Sequence, residues 1–512
     1  MEAIGDILVL PFYGQGHLFP CMELCKKLTS FNFKVTLIIP SHLSSSIPPH
    51  LRHHSLIQVV EISATSTPPL PHKAIELPAL PPKQKGGHGF MHGPFSHHHQ
   101  QLGQGMDIFL SERCDGTGLA RPICAVVDVM MSWSKEIFLK YDIPFISFFT
   151  SGACAAAMEF AAWKSHADEM KPGEIRILPG LPESMALSYS DVKRNRHGPG
   201  HHSGGGPNRQ NEPSGPPGGV EDGPPKPGQK PRWLDEVEGS IALLINTCHD
   251  LEGPFIDYVA NQIETPIWGV GPLLPETYWI STSSILRDHE VRSNRQSNFT
   301  EEEVMQWLNS KPRGSVIYVS FGSEVGPSLV EYAQLADALE ASNHPFIWVI
   351  QAGSGRPGPP PGLFGDGQQE EGYYPHGLDE RIGNKGLIIK GWAPQLLILS
   401  HPSTGGFLSH CGLNSTMEAI GRGVPILAWP IRGDQFHDAK LVANYLKMGH
   451  MILLGDDPGE MVKKDDIVQG IDKMMKDEGV HKQAMALRSI FQSGYPDSSM
   501  CSLKSFIQLI SK

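Results

Sequence analysis

Cysteine is scarce in this chain, with eight among 512 residues and no paired CxxC framework. That excludes a disulfide scaffold and a thiol zinc site. Cys21 and Cys25, one helical turn apart, read as small buried groups, and the whole set as reduced thiols. Long apolar runs are also missing: nothing approaches the roughly 18 consecutive apolar residues that cross a bilayer. The opening Met1-Glu2-Ala3-Ile4-Gly5-Asp6 lacks the basic start of a secretory leader, and the short run Ile7 to Phe12 reads as a buried strand. These absences predict a cytoplasmic protein without stable membrane insertion. Positive charge is in deficit too. A formal net charge of −12 excludes nucleic acid and anionic membrane surfaces as natural partners, because a polyanion is not drawn to such a surface.

What is present is enough apolar residue for two cores, since a chain of 512 residues exceeds what one core supports. The opening reads strand (Ile7 to Phe12), Gly-rich turn (Gly14-Gln15-Gly16), helix (Leu18 to Leu28) and strand (Lys34 to Ile39), a βαβ start. Further strand patterns fall at 123–127, 145–149, 241–246, 316–321, 346–350, 386–390, 406–408 and 425–428, with helical patterns at 329–342 and 416–421. Alternation of this kind predicts parallel α/β sheets, and its restart after the middle of the chain predicts two Rossmann-like halves with a cleft between them. Three stretches, 66–101, 195–231 and 353–372, are dominated by Pro, Gly, His and polar residues and read as loops. The histidines His88, His92, His97, His98 and His99 lie in the first of them without a carboxylate or thiol framework, so a solvated loop is preferred to a metal site.

The segment from Trp392 to Gln435 is the richest in chemistry. Its centre, Gly405-Gly406-Phe407-Leu408-Ser409-His410-Cys411-Gly412-Leu413-Asn414-Ser415-Thr416-Met417-Glu418, reads strand, tight turn and helix start. Ser415 and Glu418 have capping-box spacing, which predicts a helix beginning at Ser415. A helix N-terminus offers unpaired N–H groups and a positive dipole end to a diphosphate, although an ordinary capped helix shows the same spacing.

Taken whole, residues 392–435 resemble the donor-binding signature of the plant family-one UDP-glycosyltransferases. The likeness runs through Trp392-Ala393-Pro394-Gln395, His401-Pro402, Gly405-Gly406-Phe407, His410-Cys411-Gly412, Asn414-Ser415 and Asp434-Gln435. It extends to Phe321-Gly322-Ser323, to Phe346-Ile347-Trp348-Val349 and to Gly16-His17-Leu18-Phe19-Pro20. The resemblance implies a GT-B fold, two facing Rossmann-like domains. It places an acceptor domain at 1–255, a linker at 256–310, a UDP-sugar domain at 311–490 and a terminal helix at 491–512 that packs back on the first domain. It further implies that Trp392 stacks on uracil, that Ala393 and Gln395 fix the nucleoside, and that Glu418 holds the ribose. His410, Asn414, Ser415 and Ser323 would bind the diphosphate, while Asp434, Gln435 and Thr150 would meet the sugar. No metal or other cofactor is then required, UDP-glucose being a co-substrate.

One position departs from the family pattern: Leu413 stands where Trp is usual, which loosens the inference about the sugar, while Gln435 favours glucose. The acceptor side needs a base. His17 follows the turn after the first strand, at the sheet edge where α/β proteins put ligands. A lone His after Gly is equally a capping or solvent-facing residue, and within the resemblance His17 is the base and Asp128 its partner. An imidazole with its ordinary pKa of about 6.5 is mostly neutral near pH 7 and able to accept a proton. Asp128 also suits an N-cap of the following helix.

The expectation is an inverting, monomeric enzyme of plant secondary metabolism that transfers glucose to a small hydroxylated acceptor, a flavonoid or other phenol. Terpenoid or hormone acceptors, and a UDP-sugar binder without transfer, are the alternatives. A Rossmann oxidoreductase is disfavoured because Gly14-Gln15-Gly16 is no full dinucleotide fingerprint. The sequons at Asn298 and Asn414 carry little weight, since a glycan on Asn414 would block the phosphate site.

Overall fold

The computed structural model describes residues 3–63, 94–116, 120–194, 227–275, 278–279, 296–351, 354–355, 372–452 and 460–511. Most of the three low-complexity stretches, with His88 and His92, lies outside the described residues.

Continuous apolar runs, buried on both faces, form parallel strands here because helices cover both sides of the sheet. The first domain holds β1 (Asp6–Leu10), β2 (Lys34–Pro40), β3 (Ile57–Ile62), β4 (Cys124–Asp128), β5 (Phe145–Phe149), a short antiparallel pair β6 (Ile175–Arg176) and β7 (Leu187–Ser188), then β8 (Leu243–Ile245) and β9 (Ile267–Gly269). Seven of these make one parallel sheet in the order β3-β2-β1-β4-β5-β8-β9. The second domain holds β10 (Val316–Ser320), β11 (Phe346–Ile350), β12 (Gly386–Lys390), β13 (Thr404–Ser409), β14 (Ile426–Ala428) and β15 (Gly449–Met451). They form a parallel sheet in the order β12-β11-β10-β13-β14-β15.

Each order reverses direction once, between β1 and β4 in the first sheet and between β10 and β13 in the second. At such a reversal the outgoing helices diverge and leave a crevice beyond the strands' carboxyl ends. The helix Gln15–Thr29 follows β1, and the helix Leu413–Arg422 follows β13, so both crevices receive a loop and a helix start. This topology is why His17 and His410, 393 positions apart by subtraction of their numbers, both line one cleft.

Three expectations need correction. Residues 94–101 are not loop: the helix Pro94–Ser111 buries Leu102, Met106 and Leu110 at a spacing of four, and this stripe outweighs the polar residues before it. The first sheet does not stop near residue 255. The helix His249–Ala260 runs across that point, and β9 still pairs with β8. The helix after β13 begins at Leu413 with Gly412 as N-cap and no side-chain cap, so Ser415 is its third residue. The Ser415 hydroxyl instead accepts a hydrogen bond from Gln395.

The terminal helix Asp497–Ile510 returns to the first domain. Phe506 packs on Trp268 of β9 at 6.2 Å between ring centroids, and the Tyr495 and Ser499 hydroxyls donate to the carbonyls of Val270 and Gly271. Among the described residues, no helix is long and apolar enough to cross a membrane.

Candidate active site

The two crevices face each other across a cleft of about 940 Å³ lined from both domains. Its first-domain centre is built at the reversal of the first sheet. Asp128, the last residue of β4, is fully buried and accepts from the Met130 amide at 2.9 Å through one oxygen. Its other oxygen lies 2.8 Å from His17 Nδ1, and the Thr150 hydroxyl after β5 also lies 2.8 Å from that nitrogen. N-cap and imidazole partner are therefore one residue. With Nδ1 held from two sides, Nε2 is the nitrogen left for the cleft. Phe12 meets the ring edge-on at 5.1 Å and fixes its tilt.

The electrostatics differ from those of an isolated imidazole. Burial alone would lower the His17 pKa, but the Asp128 carboxylate, reinforced by Glu324 and Asp434, outweighs it and pushes His17 up to about 9. The expectation of a mostly neutral imidazole near pH 7 is corrected accordingly: in this surrounding of acids the cationic form is favoured.

At the reversal of the second sheet, Gly322 and His410 pack so closely that a Cβ on Gly322 would sit 2.8 Å from the imidazole. Gly322 also has φ +75°, which glycine alone adopts without cost. Burial, helped by the Arg432 charge, lowers His410 to about 4 against the opposing effect of a hydrogen bond the ring donates to the Ser320 backbone. It is thus a neutral hydrogen-bonding group near pH 7. Ser323 lines the cleft beside it, as do Trp392, Ala393 and Leu413.

Gln395 is fully engaged within the protein. Its carbonyl accepts from the Tyr318 hydroxyl at 3.0 Å, and its amide donates to Ser415 at 3.1 Å and to Glu418 at 2.7 Å. Gln395 lines the cleft itself, and its amide holds Glu418, a fully buried carboxylate on the same wall. Gln435 behaves similarly. Its carbonyl accepts the amides of Ile431 and Arg432 at 3.0 and 3.1 Å, which leaves only its NH₂ donors for a ligand. Beside it Asp434 is raised by burial, with His17 and Arg432 pulling the other way. Asn414 bridges the domains, donating to the Gly16 carbonyl at 2.8 Å and accepting from Asn246 at 3.3 Å.

The structure brings every expected site residue to the wall of this one cleft except Asp128, which stands directly behind His17. Several residues escaped sequence reading. Arg432 and Glu324 form an ion pair of 3.4 Å at the mouth, and a Cβ on Gly14 would meet Glu324 at 2.2 Å. Glu159, Arg232 and Glu236 line the first domain's side. His99 stacks on Trp133 at 4.8 Å and also faces the cleft, rather than lying in a solvated loop. No local motif marks these positions. Asn298, the other sequon residue, is tied to both Ile388 and Lys390 of β12.

Comparison with known proteins agrees with this arrangement. Residues 288–496 match the model of the family described as UDP-glucoronosyl and UDP-glucosyl transferase. The chain is 30% identical to UDP-glucosyl transferase 73M2 of Saponaria officinalis over 461 residues, covering 86% of this chain and 82% of that one. It is 27% identical to the scopoletin glucosyltransferase of Nicotiana tabacum over 519 residues, covering 98% and 97% of the two. The solved structure of Glycyrrhiza uralensis UGT73P12 complexed with glycyrrhetinic acid 3-O-monoglucuronide superposes with a TM-score of 0.71 at 24% identity, covering 99% of this chain and 95% of that one. A cleft between two parallel sheets, a donor signature at the second sheet's reversal and an extended likeness to glucosyl transferases have one meaning: the chain belongs to the plant UDP-glycosyltransferases and is a hexosyltransferase of the GT-B fold.

Proposed function

We propose that this enzyme transfers glucose from UDP-glucose to a hydroxyl of a small phenolic acceptor in a single inverting displacement. The observation that carries the reading is the His17–Asp128 pair, 2.8 Å apart, facing Asp434 and Gln435 across the cleft. In this scheme His17 Nε2 takes the acceptor proton as the oxygen attacks the anomeric carbon. The bond from that carbon to the diphosphate oxygen breaks, and UDP keeps the electron pair. Asp128 holds the imidazole tautomer and stabilises the cation that forms. The charge growing on UDP is met by His410, Ser323 and the open N–H groups of the helix Leu413–Arg422. The scheme needs no metal or cofactor.

Glucose is favoured by the Asp434–Gln435 pair, an acceptor carboxylate beside a donor amide, and by the glucosyl transferases among the relatives. A phenol is favoured by the aromatic and aliphatic wall of Phe12, Phe19, Met22, Phe149 and Trp233. The test is mass-spectrometric product detection with purified protein, separate UDP-sugars and a pooled panel of phenols and terpenoid alcohols, followed by assignment of the anomeric linkage. A β-glucoside from UDP-glucose is the expected product. An α-linkage would sink the single displacement, and transfer from UDP-glucuronate alone would sink the glucose assignment.

A further inference from the structure

The first domain's wall of the cleft is largely apolar, yet two carboxylates that the transfer scheme does not use are set into it. Glu159 lies on the helix Ala153–Lys164, and Glu236 ends the short helix Trp233–Glu236. Glu159 is partly buried and has no hydrogen bond or ion pair among the described residues. Its charged neighbours are the acids Asp434 and Glu236. Glu236 is better placed, with Arg232 and Lys135 in electrostatic reach. Burial and those acids push Glu159 up to about 8, and burial pushes Glu236 up to about 7 although Arg232 opposes it. A carboxyl group lacking a cation in an apolar wall gains more from a positively charged ligand than from a neutral one, because that ligand restores its ionised form.

We infer that the acceptor is a hydroxylated amine: an aromatic body against Phe149 and Trp233, its hydroxyl at His17, and a protonated nitrogen held by Glu159 with Glu236 behind it. The same acids, joined by Asp434 and Glu324 at the transfer locus, disfavour an acceptor that carries its own carboxylate. This rests on the reading of the cleft as the site of glucosyl transfer to a phenol.

The test uses three phenols of one shape, 4-(2-aminoethyl)phenol, 4-(2-hydroxyethyl)phenol and 4-hydroxyphenylacetate, with UDP-glucose. A charge-assisted contact predicts kcat/KM for the amine roughly tenfold or more above the neutral alcohol, and the anion lowest. Glu159→Gln, close in shape and checked for folding by its UDP affinity, should remove the amine's advantage, and Glu236→Gln should reduce it. An equal or better neutral alcohol, or an advantage that survives both substitutions, overturns the inference. Calorimetric binding of the three compounds to the UDP-loaded protein separates it from the transfer reading. Amine binding that depends on Glu159 without hexose transfer sustains the inference and breaks the reading. Transfer to the neutral alcohol without amine preference does the reverse.

Discussion

The two walls of the cleft come from sheets of the same parallel design, yet they treat their polar groups in opposite ways. On the second domain's wall the amides are spoken for: Gln395 is tied to Tyr318, Ser415 and Glu418, and Gln435 to the turn at Ile431 and Arg432. Such a wall presents a few fixed donors and acceptors and suits one ligand. The first domain's wall concentrates its order in the His17–Asp128–Thr150 group and is elsewhere largely apolar, apart from His99, Arg232, Glu236 and a Glu159 left unpaired among the described residues. The contrast teaches a division of labour. In the proposed scheme one wall recognises by preorganised hydrogen bonds, and the other holds the base and accepts shape.

The largest test of that division is His17→Ala. Losing the base should lower transfer by roughly 10²- to 10⁴-fold while UDP affinity, measured by calorimetry, stays where it was. A parallel fall in both would mean that the walls do not work separately.

The next effect is on pH. As the proposed base, His17 must be unprotonated to act, and its pKa is raised to about 9, so kcat/KM should climb as pH rises from 7, pass its half-height near 9 and level off only above it. A base with that pKa is about one part in a hundred free at pH 7, which makes the climb about a hundredfold. Replacing Asp128 by Asn removes the counter-charge, so the midpoint should move down even as the plateau falls. A profile flat above pH 7 in the wild type would show that Asp128, Glu324 and Asp434 do not govern the imidazole.

On the donor wall, Glu418→Ala should weaken UDP binding by about tenfold to a hundredfold, the cost of a charged hydrogen bond plus a Gln395 amide left without its partner. Glu418→Gln keeps the shape and should fall between. Binding of an acceptor to the free enzyme should not follow either change, and if it does the contrast between the walls is too sharply drawn.

The second domain's wall was legible in the sequence because most of its residues lie in one contiguous run, Trp392 to Gln435, which strand, turn and helix bring to one crevice. The place of His17 in the cleft was legible because it follows β1 at a Gly turn. The inner strands were legible as continuous apolar runs, whereas β3, β9 and β15 went unread. All three are sheet edges: β3 exposes Gln58 and Glu61, and β9 and β15 are three residues long, so neither apolar continuity nor length marks them. Glu159, Arg232 and Glu324 were invisible for another reason. They reach one cleft only through tertiary packing, Glu159 from the helix after β5, Arg232 from the start of the helix Trp233–Glu236 and Glu324 from beyond β10, and no local spacing encodes that convergence. The helix start at Leu413 was misread because the spacing of Ser415 and Glu418 is shared by capping and by a pair that serves Gln395.

The smallest effect tests a residue that both walls claim. Sequence resemblance gives Asn414 to the diphosphate, but the structure ties its amide to Gly16 and its carbonyl to Asn246, across the domain boundary and next to His17. Asn414→Ala removes two hydrogen bonds at a partly exposed position where water can replace them, so the cost should sit near the low end of about 0.5–1.5 kcal/mol for each. If Asn414 is a strut that sets the distance from His17 to the sugar, kcat/KM falls about threefold to tenfold with UDP affinity unchanged, because a reacting pair is sensitive to small displacements. If instead UDP affinity falls by that factor and turnover at saturating donor does not, Asn414 belongs to the donor wall alone, and the walls are joined by packing rather than by hydrogen bonds.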